Sequence, residues 1–119
     1  MSTELVELRK FYAPPGFLLL ARHDGAPAGC VGVRALTPST GELRRLFVRP
    51  EHRTAGWGRQ LLSQANGRAR ANRFKRLVLN TLPTMTAARS LYDADGYEPT
   101  DPYVADPVEG VEYLAVDLS

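Results

Sequence analysis

The sequence contains very little cysteine and tryptophan, with one residue of each among 119. Because Cys30 stands alone, an internal disulfide and a metal centre of several thiolates are excluded. Long apolar runs are also missing, and none approaches the roughly 18 residues that a membrane-spanning helix needs. The N-terminal segment carries acids where a signal peptide would have an apolar core. We therefore predict a cytoplasmic protein with no membrane segment.

The composition is that of an ordinary folded domain, with 44% hydrophobic and 24% charged residues. A chain of 119 residues is long enough for one hydrophobic core and short for two. We predict a single domain over residues 1–119. No group of His, Asp and Glu residues has the spacing of metal ligands, so no metal site is expected.

The net charge of +2 conceals an uneven distribution along the chain. Between Arg44 and Arg76 there are ten basic residues and one acid, Glu51. The residues after Arg89 include eight acids and no basic side chain. The middle of the chain can therefore attract an anion, whereas the C-terminal part cannot. Two solvated faces that partly neutralise each other would explain the same pattern, and composition does not separate the two interpretations.

Local patterns near the N-terminus predict a helix followed by a hairpin. Leu5, Leu8 and Tyr12 fall on one side of a helical wheel, and the Ala-Pro-Pro run at residues 13–15 would end that helix. Two apolar stretches then flank Asp24-Gly25, a dipeptide favoured where both central residues of a turn need positive φ. We expect two antiparallel strands joined by this turn.

The rest of the chain predicts alternating strands and helices. A strand over residues 42–48 leads into a glycine-containing loop and a helix from about residue 58 to 71. A buried strand ends near Asn80, and the helix after it is capped at its C-terminus by Gly96. Two more strands flank a loop at residues 101–110 that is too rich in proline and acid for regular structure. This order indicates an α/β layered fold with a mixed sheet.

The loop between the predicted strand and helix is a candidate anion site. A helix N-terminus presents unpaired backbone N–H groups and the positive end of the helix dipole. Gly56 and Gly58 would let the backbone approach an anion closely, and Arg53 and Arg59 could add charge. The spacing fits neither a Walker A loop nor a dinucleotide-binding fingerprint. A basic turn with glycine for geometry alone is the competing interpretation.

Residues 53–58, RTAGWG, match the Arg/Gln-x-x-Gly-x-Gly/Ala signature of the GNAT superfamily of N-acetyltransferases. The longer stretch ELRRLFVRPEHRTAGWGRQLL is similar to the strand-loop-helix unit of that family, and residues 77–118 resemble the second half of its bacterial members. The resemblance implies a mostly antiparallel central sheet flanked by helices. Members usually begin with a strand and one or two helices ahead of the position of Met1, so we expect the first strand and helix to be missing.

By resemblance, the cofactor is acetyl-CoA, whose pyrophosphate would bind the backbone amides of the loop. Val48 is the first candidate for a backbone N–H that binds the thioester oxygen, and Phe47 is the second. Met85 stands where many members have an asparagine that contacts the cofactor. The implied cofactor-binding residues are Leu46, Phe47, Val48, Arg53, Thr54, Ala55, Gly56, Trp57, Gly58, Arg59, Asn80 and Ala88.

The resemblance also assigns two catalytic residues. An ammonium has no lone pair for attack, so a base must remove a proton, and Glu42 matches the acidic residue of the family that does so. Tyr92 matches the tyrosine that hydrogen-bonds to or protonates the departing thiolate. A solvated carboxylate at a strand end remains the alternative for Glu42. Tyr92 shares the predicted inward face of its helix with Met85 and Ala88, so a packing role remains open for it.

The predicted function is transfer of an acetyl group from acetyl-CoA to a primary amine of a small molecule by direct attack, without a covalent enzyme intermediate. A non-catalytic acyl-CoA-binding or regulatory module is the alternative. Nucleic acid is not an expected partner, because the basic stretch lacks a reader motif and has no interleaved aromatic residues apart from Phe47, Trp57 and Phe74. A second copy of the chain could cover an exposed sheet edge, so a homodimer is an open expectation.

Overall fold

The computed structural model describes residues 2–6, 12–53 and 55–119. Within them, seven strands form one sheet and two α-helices pack against it. The strands are β1 Ser2–Val6, β2 Phe17–His23, β3 Ala26–Ala35, β4 Thr40–Val48, β5 Arg76–Thr81, β6 Glu98–Pro99 and β7 Glu112–Asp117. The helices are α1 Trp57–Ala71 and α2 Thr86–Ala94, and a short 3-10 turn spans Pro50–His52.

The strand order across the sheet is β1-β2-β3-β4-β5-β7-β6. Every neighbouring pair is antiparallel except β4 and β5, which are parallel and are connected through α1. A parallel pair needs such a crossover, because a tight turn can only join antiparallel strands. The predicted mixed, mostly antiparallel sheet flanked by helices is confirmed.

The turn between β2 and β3 has the predicted geometry. Asp24 has φ 50° and Gly25 has φ 81°. Two consecutive positive φ angles are what a two-residue hairpin turn requires, since this backbone twist matches the twist of the flanking strands. The dipeptide therefore determines the register at the start of the hairpin.

The N-terminal prediction is wrong. Ser2–Val6 form strand β1, which pairs antiparallel with β2 from Ser2↔Arg22 to Val6↔Leu18. A strand thus precedes the hairpin, contrary to the expectation that the first strand is missing. Residues 7–11 of the predicted helix lie outside the described residues, and no helix precedes β2 in the part that is described. The free edge of β2 offers a ladder of backbone partners, and this pairing overrides a weak helical pattern.

The hydrophobic core lies between the helices and one face of the sheet. The apolar stripe predicted for α1 is buried, as are inward-facing residues of the central strands. The largest fully buried side chains in this layer are Leu61, Leu62, Leu77, Leu79, Leu114, Val31 and Val33. Burying each leucine contributes about 1.5–3 kcal/mol. This packing fixes α1 over the middle of the sheet and therefore positions the loop that precedes it.

Only some of the residues predicted to face inward from helix α2 are buried. Tyr92 is buried and Ala88 is partly buried, but Met85 is 50% exposed. Met85 precedes the first helical residue, Thr86, so its side chain does not belong to the inward face. Gly96 follows the helix with φ 87°, as predicted for the C-terminal cap.

A buried amide ties α1 to the turn after α2. Asn66 donates from Nδ2 to Asp95 Oδ2 at 2.6 Å, and the Tyr97 hydroxyl donates to Asn66 Oδ1 at 3.0 Å. Because Asn66 is only 6% exposed, its amide needs these partners to offset the loss of water. The two helices are thereby held in one relative position.

Replacing Gly67 by alanine should stabilise the protein. Gly67 lies in α1 with open space where a Cβ would be placed, so alanine adds helix propensity without a clash. We expect the free energy of unfolding in urea to rise by about 0.5–1 kcal/mol. Gly25→Ala is the matched control, since it also meets open space but has positive φ, and it should destabilise by about 1–2 kcal/mol. Equal effects of the two changes would contradict this account.

Candidate active site

The sheet splits between β4 and β5. The parallel pairing covers only Thr40↔Arg76, Gly41↔Leu77 and Glu42↔Val78. β4 continues to Val48 without a partner on this side, whereas β5 stays paired with β7 as far as Thr81. Backbone groups of β4 therefore face an opening between the two strands. We call this opening, bordered by residues 43–48 of β4 and 79–81 of β5, the cleft.

A β-bulge bends β4 beside the cleft. Cys30 pairs with Phe47 and Gly32 pairs with Arg44, so two residues of β4 stand opposite Val31 alone. Arg45, one of the two, has φ 56°, the left-handed conformation that ends regular pairing. The bulge increases the local bend and twist of β4, which accounts for its departure from β5.

Cys30 is held as a thiol at this bulge. Its Sγ donates a hydrogen bond to the Arg45 carbonyl at 3.3 Å. Partial burial raises the pKa of the Cys30 thiol, although the Arg45 charge opposes this shift. A protonated thiol is a poor nucleophile, so the geometry does not favour a covalent intermediate on Cys30.

The backbone of Val48 faces the cleft. The Arg49 N–H donates to Ala28 O of β3 at 2.8 Å. Because consecutive residues of a strand turn their backbone groups to opposite sides, the Val48 N–H and C=O point away from β3. The Arg53 Nε, at 3.0 Å from the Val48 carbonyl, lies on that side. By the same alternation, the Phe47 N–H turns toward β3, so Val48 is the better placed of the two predicted donors.

The loop before α1 leaves the helix N-terminus uncapped. Gly56 has φ 82°, and its carbonyl accepts the first helical hydrogen bond, from Gln60 N at 3.1 Å. No side chain among the described residues caps the N–H groups of the first turn, and no acid lies in that turn. Thr54 lies outside the described residues, and Ala55 is exposed. The arrangement fits an anion, because the unpaired N–H groups and the helix dipole both favour negative charge.

Gly58 has a different role from Gly56. A Cβ at Gly58 would lie 2.9 Å from Leu91 Cδ1 and 3.9 Å from Val48 Cγ2. The missing side chain thus lets the first turn of α1 approach both α2 and the end of β4. The loop, the cleft and the partly buried Ala88 and Leu91 face of α2 are consequently neighbours.

The basic residues of the loop are arranged differently from each other. The Arg53 guanidinium folds back over the exposed Phe47 ring, 5.6 Å from its centre. Arg59 is exposed and has no hydrogen bond or ion pair within the described residues. Trp57 is buried against the rings of His23 and His52, with centres 5.3 and 4.9 Å away. Trp57 therefore anchors the loop, and Arg59 supplies an exposed positive charge.

Glu42 is buried where the strands separate. It is 3% exposed and lies on the sheet face opposite the helices, because its neighbours Gly41 and Leu43 point into the core. Its Oε1 accepts from Arg34 Nη2 at 2.9 Å and from Arg44 Nη1 at 3.4 Å. The carboxylate is thus not the solvated strand-end group of the alternative interpretation.

The other carboxylate oxygen contacts a residue that sequence reasoning did not single out. The Tyr103 hydroxyl donates to Glu42 Oε2 at 2.7 Å and accepts from Asn80 Nδ2 at 3.2 Å. Tyr103 lies 61 positions from Glu42, in the loop rich in proline and acid. No local signal in the sequence reveals this contact. Asn80, predicted as a cofactor contact, is therefore part of the Glu42 cluster.

Tyr92 lies on the other side of the sheet. It is 8% exposed within the core that contains Leu43 and Leu61, and its ring centre is 5.7 Å from that of Tyr97. Its hydroxyl has no hydrogen-bond partner among the described residues. Burial raises the pKa of Tyr92, so the phenol keeps its proton at neutral pH and can donate it.

None of the helices in the described residues is long and apolar enough to cross a membrane. No group of three or more His, Cys, Asp or Glu side chains in this part of the chain could hold a metal ion.

The fold is shared with an acyl-CoA N-acyltransferase structure from Klebsiella pneumoniae, which superposes with a TM-score of 0.83 at 26% identity and covers 89% of this chain and 76% of its own. The model of the Acetyltransferase (GNAT) family matches residues 2–97, most of the chain. The chain belongs to this family, and the resemblance noted in the sequence is confirmed.

Known proteins share both its sequence and its fold. An N-acetyltransferase of Schizosaccharomyces pombe, described as uncharacterized, is 34% identical over 94% of this chain and 70% of its own. IAA acetyltransferase of Azospirillum brasilense is 32% identical over 90% of this chain and 72% of its own. A GNAT family acetyltransferase from Elizabethkingia anophelis, solved with acetyl-CoA bound, superposes with a TM-score of 0.75 at 24% identity, covering 89% of this chain and 78% of its own.

Stability should fall steeply at alkaline pH. Burial raises the pKa of both Tyr92 and Tyr97, so the folded state keeps two protons that the unfolded chain loses near pH 10. Their contribution is complete below about pH 10 and is lost above it, at up to about 1.4 kcal/mol per pH unit for each tyrosine. Urea unfolding between pH 8 and pH 11 measures this slope.

Tyr92→Phe is the control for this effect. Its hydroxyl has no partner among the described residues, so the variant should match wild-type stability at pH 7 and show a shallower alkaline slope. A slope equal to that of the wild type would contradict the burial of this phenol.

Proposed function

We propose that the protein transfers the acetyl group of acetyl-CoA to a primary amine of a small molecule by direct attack. The observation that carries this proposal is the cleft, which opens beside the uncapped N-terminus of α1 and directly after Glu42. A single domain over residues 1–119 and a cytoplasmic location remain part of the proposal.

The donor is inferred from the loop and the cleft. The residues that would hold acetyl-CoA are the backbone amides at the start of α1 with Arg59 for the pyrophosphate, and the β4 backbone for the pantetheine arm. The Elizabethkingia relative, which holds acetyl-CoA, supports this choice. Acetyl-CoA supplies an activated acetyl thioester. The Val48 N–H would donate a hydrogen bond to an oxygen that gains negative charge during transfer.

The two proposed catalytic residues fit opposite ends of the reaction. Glu42 of β4 and Tyr92 of α2 lie on opposite faces of the split sheet, so a base on one side and an acid on the other could act on a group held between them. Glu42 would take a proton from the amine, and Tyr92 would donate one to the departing thiolate. The protonated thiol of Cys30 supports direct attack over an acyl-enzyme.

A non-catalytic acyl-CoA-binding module is the second candidate, and one observation favours it. Glu42 is buried, and its carboxylate already binds Arg34, Arg44 and Tyr103, so an amine has no direct access to it. Turnover separates the two candidates, because both should bind acetyl-CoA and only an enzyme releases free thiol in the presence of an amine.

Acetyl-CoA should raise the thermal unfolding midpoint. A ligand at 100 times its dissociation constant adds about 2.7 kcal/mol, which for a domain of this size corresponds to a rise of at least about 5 °C. S-acetylpantetheine, which lacks the pyrophosphate and nucleotide, is the matched ligand and should give a much smaller rise at the same concentration. No rise with millimolar acetyl-CoA would overturn both acyl-CoA proposals.

Replacing either catalytic residue should slow the reaction. With the best amine of a panel, Glu42→Gln and Tyr92→Phe should each lower kcat by about 10²- to 10⁴-fold, the usual contribution of general acid-base groups. Free thiol release is the measurement, and an unchanged midpoint shift with acetyl-CoA shows that cofactor binding persists. Wild-type turnover by both variants would refute the assigned roles.

A further inference from the structure

The Tyr103 hydroxyl joins the two strands where they part. It donates to Glu42 Oε2 on β4 at 2.7 Å and accepts from Asn80 Nδ2 on β5 at 3.2 Å. The last paired residues of the two strands are Glu42 and Val78, so Asn80 already borders the cleft. A residue of the β6–β7 loop therefore closes the narrow end of the cleft.

The Tyr103 ring is positioned independently of its hydroxyl. It packs edge to face against Tyr113, with ring centres 5.5 Å apart and planes at 87°. Tyr113 is 8% exposed and pairs with Asn80 in the β5–β7 ladder. Edge-to-face packing is a favourable arrangement of two aromatic rings, and it stabilises them beyond the burial of their surface. Removing the hydroxyl alone should therefore leave the ring in place.

The hydroxyl has one hydrogen-bonding position to spare. A phenol donates one hydrogen bond and can accept two. Here the proton goes to Glu42, and within the described residues only Asn80 donates to the oxygen. Glu42 is 3% exposed, whereas Tyr103 is only partly buried. A group in the cleft would reach the Glu42 carboxylate through the Tyr103 oxygen.

We propose that Tyr103 is a catalytic residue that passes a proton from the acceptor amine to Glu42. This inference rests on the proposed acetyltransferase function. The ammonium N–H bond breaks as its proton forms a new O–H bond on Tyr103. At the same time the original Tyr103 proton leaves for Glu42 Oε2. The amine gains its lone pair, Tyr103 stays neutral, and Glu42 becomes a carboxylic acid.

The electrostatic surroundings favour this exchange over a tyrosinate base. Burial and the hydrogen bond to Glu42 raise the pKa of Tyr103, while the Asn80 amide opposes the shift. The phenol thus remains protonated at neutral pH and keeps its donor contact with the carboxylate. A proton can enter the Tyr103 oxygen only as the original one leaves.

Tyr103→Phe tests the proposal, with Tyr113→Phe as the matched control. Tyr103→Phe should lower kcat by about 10²-fold or more while leaving the KM for acetyl-CoA unchanged. Tyr113→Phe removes the hydroxyl of the other ring of the pair, which makes no hydrogen bond to Glu42 in the described residues, and this variant should keep wild-type kcat. Equal losses in the two variants would show that the effect is not specific to the Tyr103 hydroxyl, and would overturn the proposal.

The pH dependence of kcat distinguishes a proton relay from an effect of packing. For an amine of pKa near 10, the kcat of Tyr103→Phe relative to wild type should fall most near pH 7. It should fall least at high pH, where the amine is already deprotonated in solution. The double variant Glu42→Gln with Tyr103→Phe should be no slower than the worse single variant, because residues acting as one unit are not additive. A loss independent of pH, or equal to the product of the single losses, would overturn the relay.

The failures of the two proposals are distinguishable. Absence of thiol release by the wild type with every amine would refute the acetyltransferase proposal and this inference together. Wild-type turnover that Tyr103→Phe retains in full would refute this inference alone.

Discussion

The structure depends on the short length over which β4 and β5 pair. Three parallel pairs, ending at Glu42↔Val78, hold the strands together, and beyond them each strand continues with a different neighbour. Backbone N–H and C=O groups require hydrogen-bond partners. The unpaired side of β4 can therefore form hydrogen bonds with a side chain or a bound molecule in place of a strand. The Val48 carbonyl finds the Arg53 guanidinium, while the Val48 N–H faces the cleft.

The split also separates two chemical environments. On the helix face, leucine and valine side chains exclude water and keep Tyr92 as a neutral phenol. On the opposite face, the Glu42 carboxylate is buried and is therefore surrounded by donors, since an unpaired buried charge would cost several kcal/mol. A group held between β4 and β5 would lie between Tyr92 and Glu42, the two residues that we propose as acid and base.

Some parts of this architecture were predictable because their signals are local. Asp24-Gly25 selects its turn by tolerating positive φ, and Gly96 ends α2 for the same reason. The apolar residues of α1 recur with the helical period, so the helix and its buried face can be predicted without knowing what packs against them. At the N-terminus the local pattern gave the wrong answer, because Ser2–Val6 pair with an edge of β2 that no short window contains.

The sequence by itself determined the order of strands and helices from the hairpin onward, the position of the basic loop, and the family to which the chain belongs. Each of these depends on residues that lie close together in the sequence. Only the tertiary structure decided that the Glu42 carboxylate is buried and that Tyr103, 61 positions away, closes over it. It also decided that Gly58 serves the approach of α1 to Leu91. Such contacts join residues distant in the chain, and they arise from how the sheet splits and the helices pack.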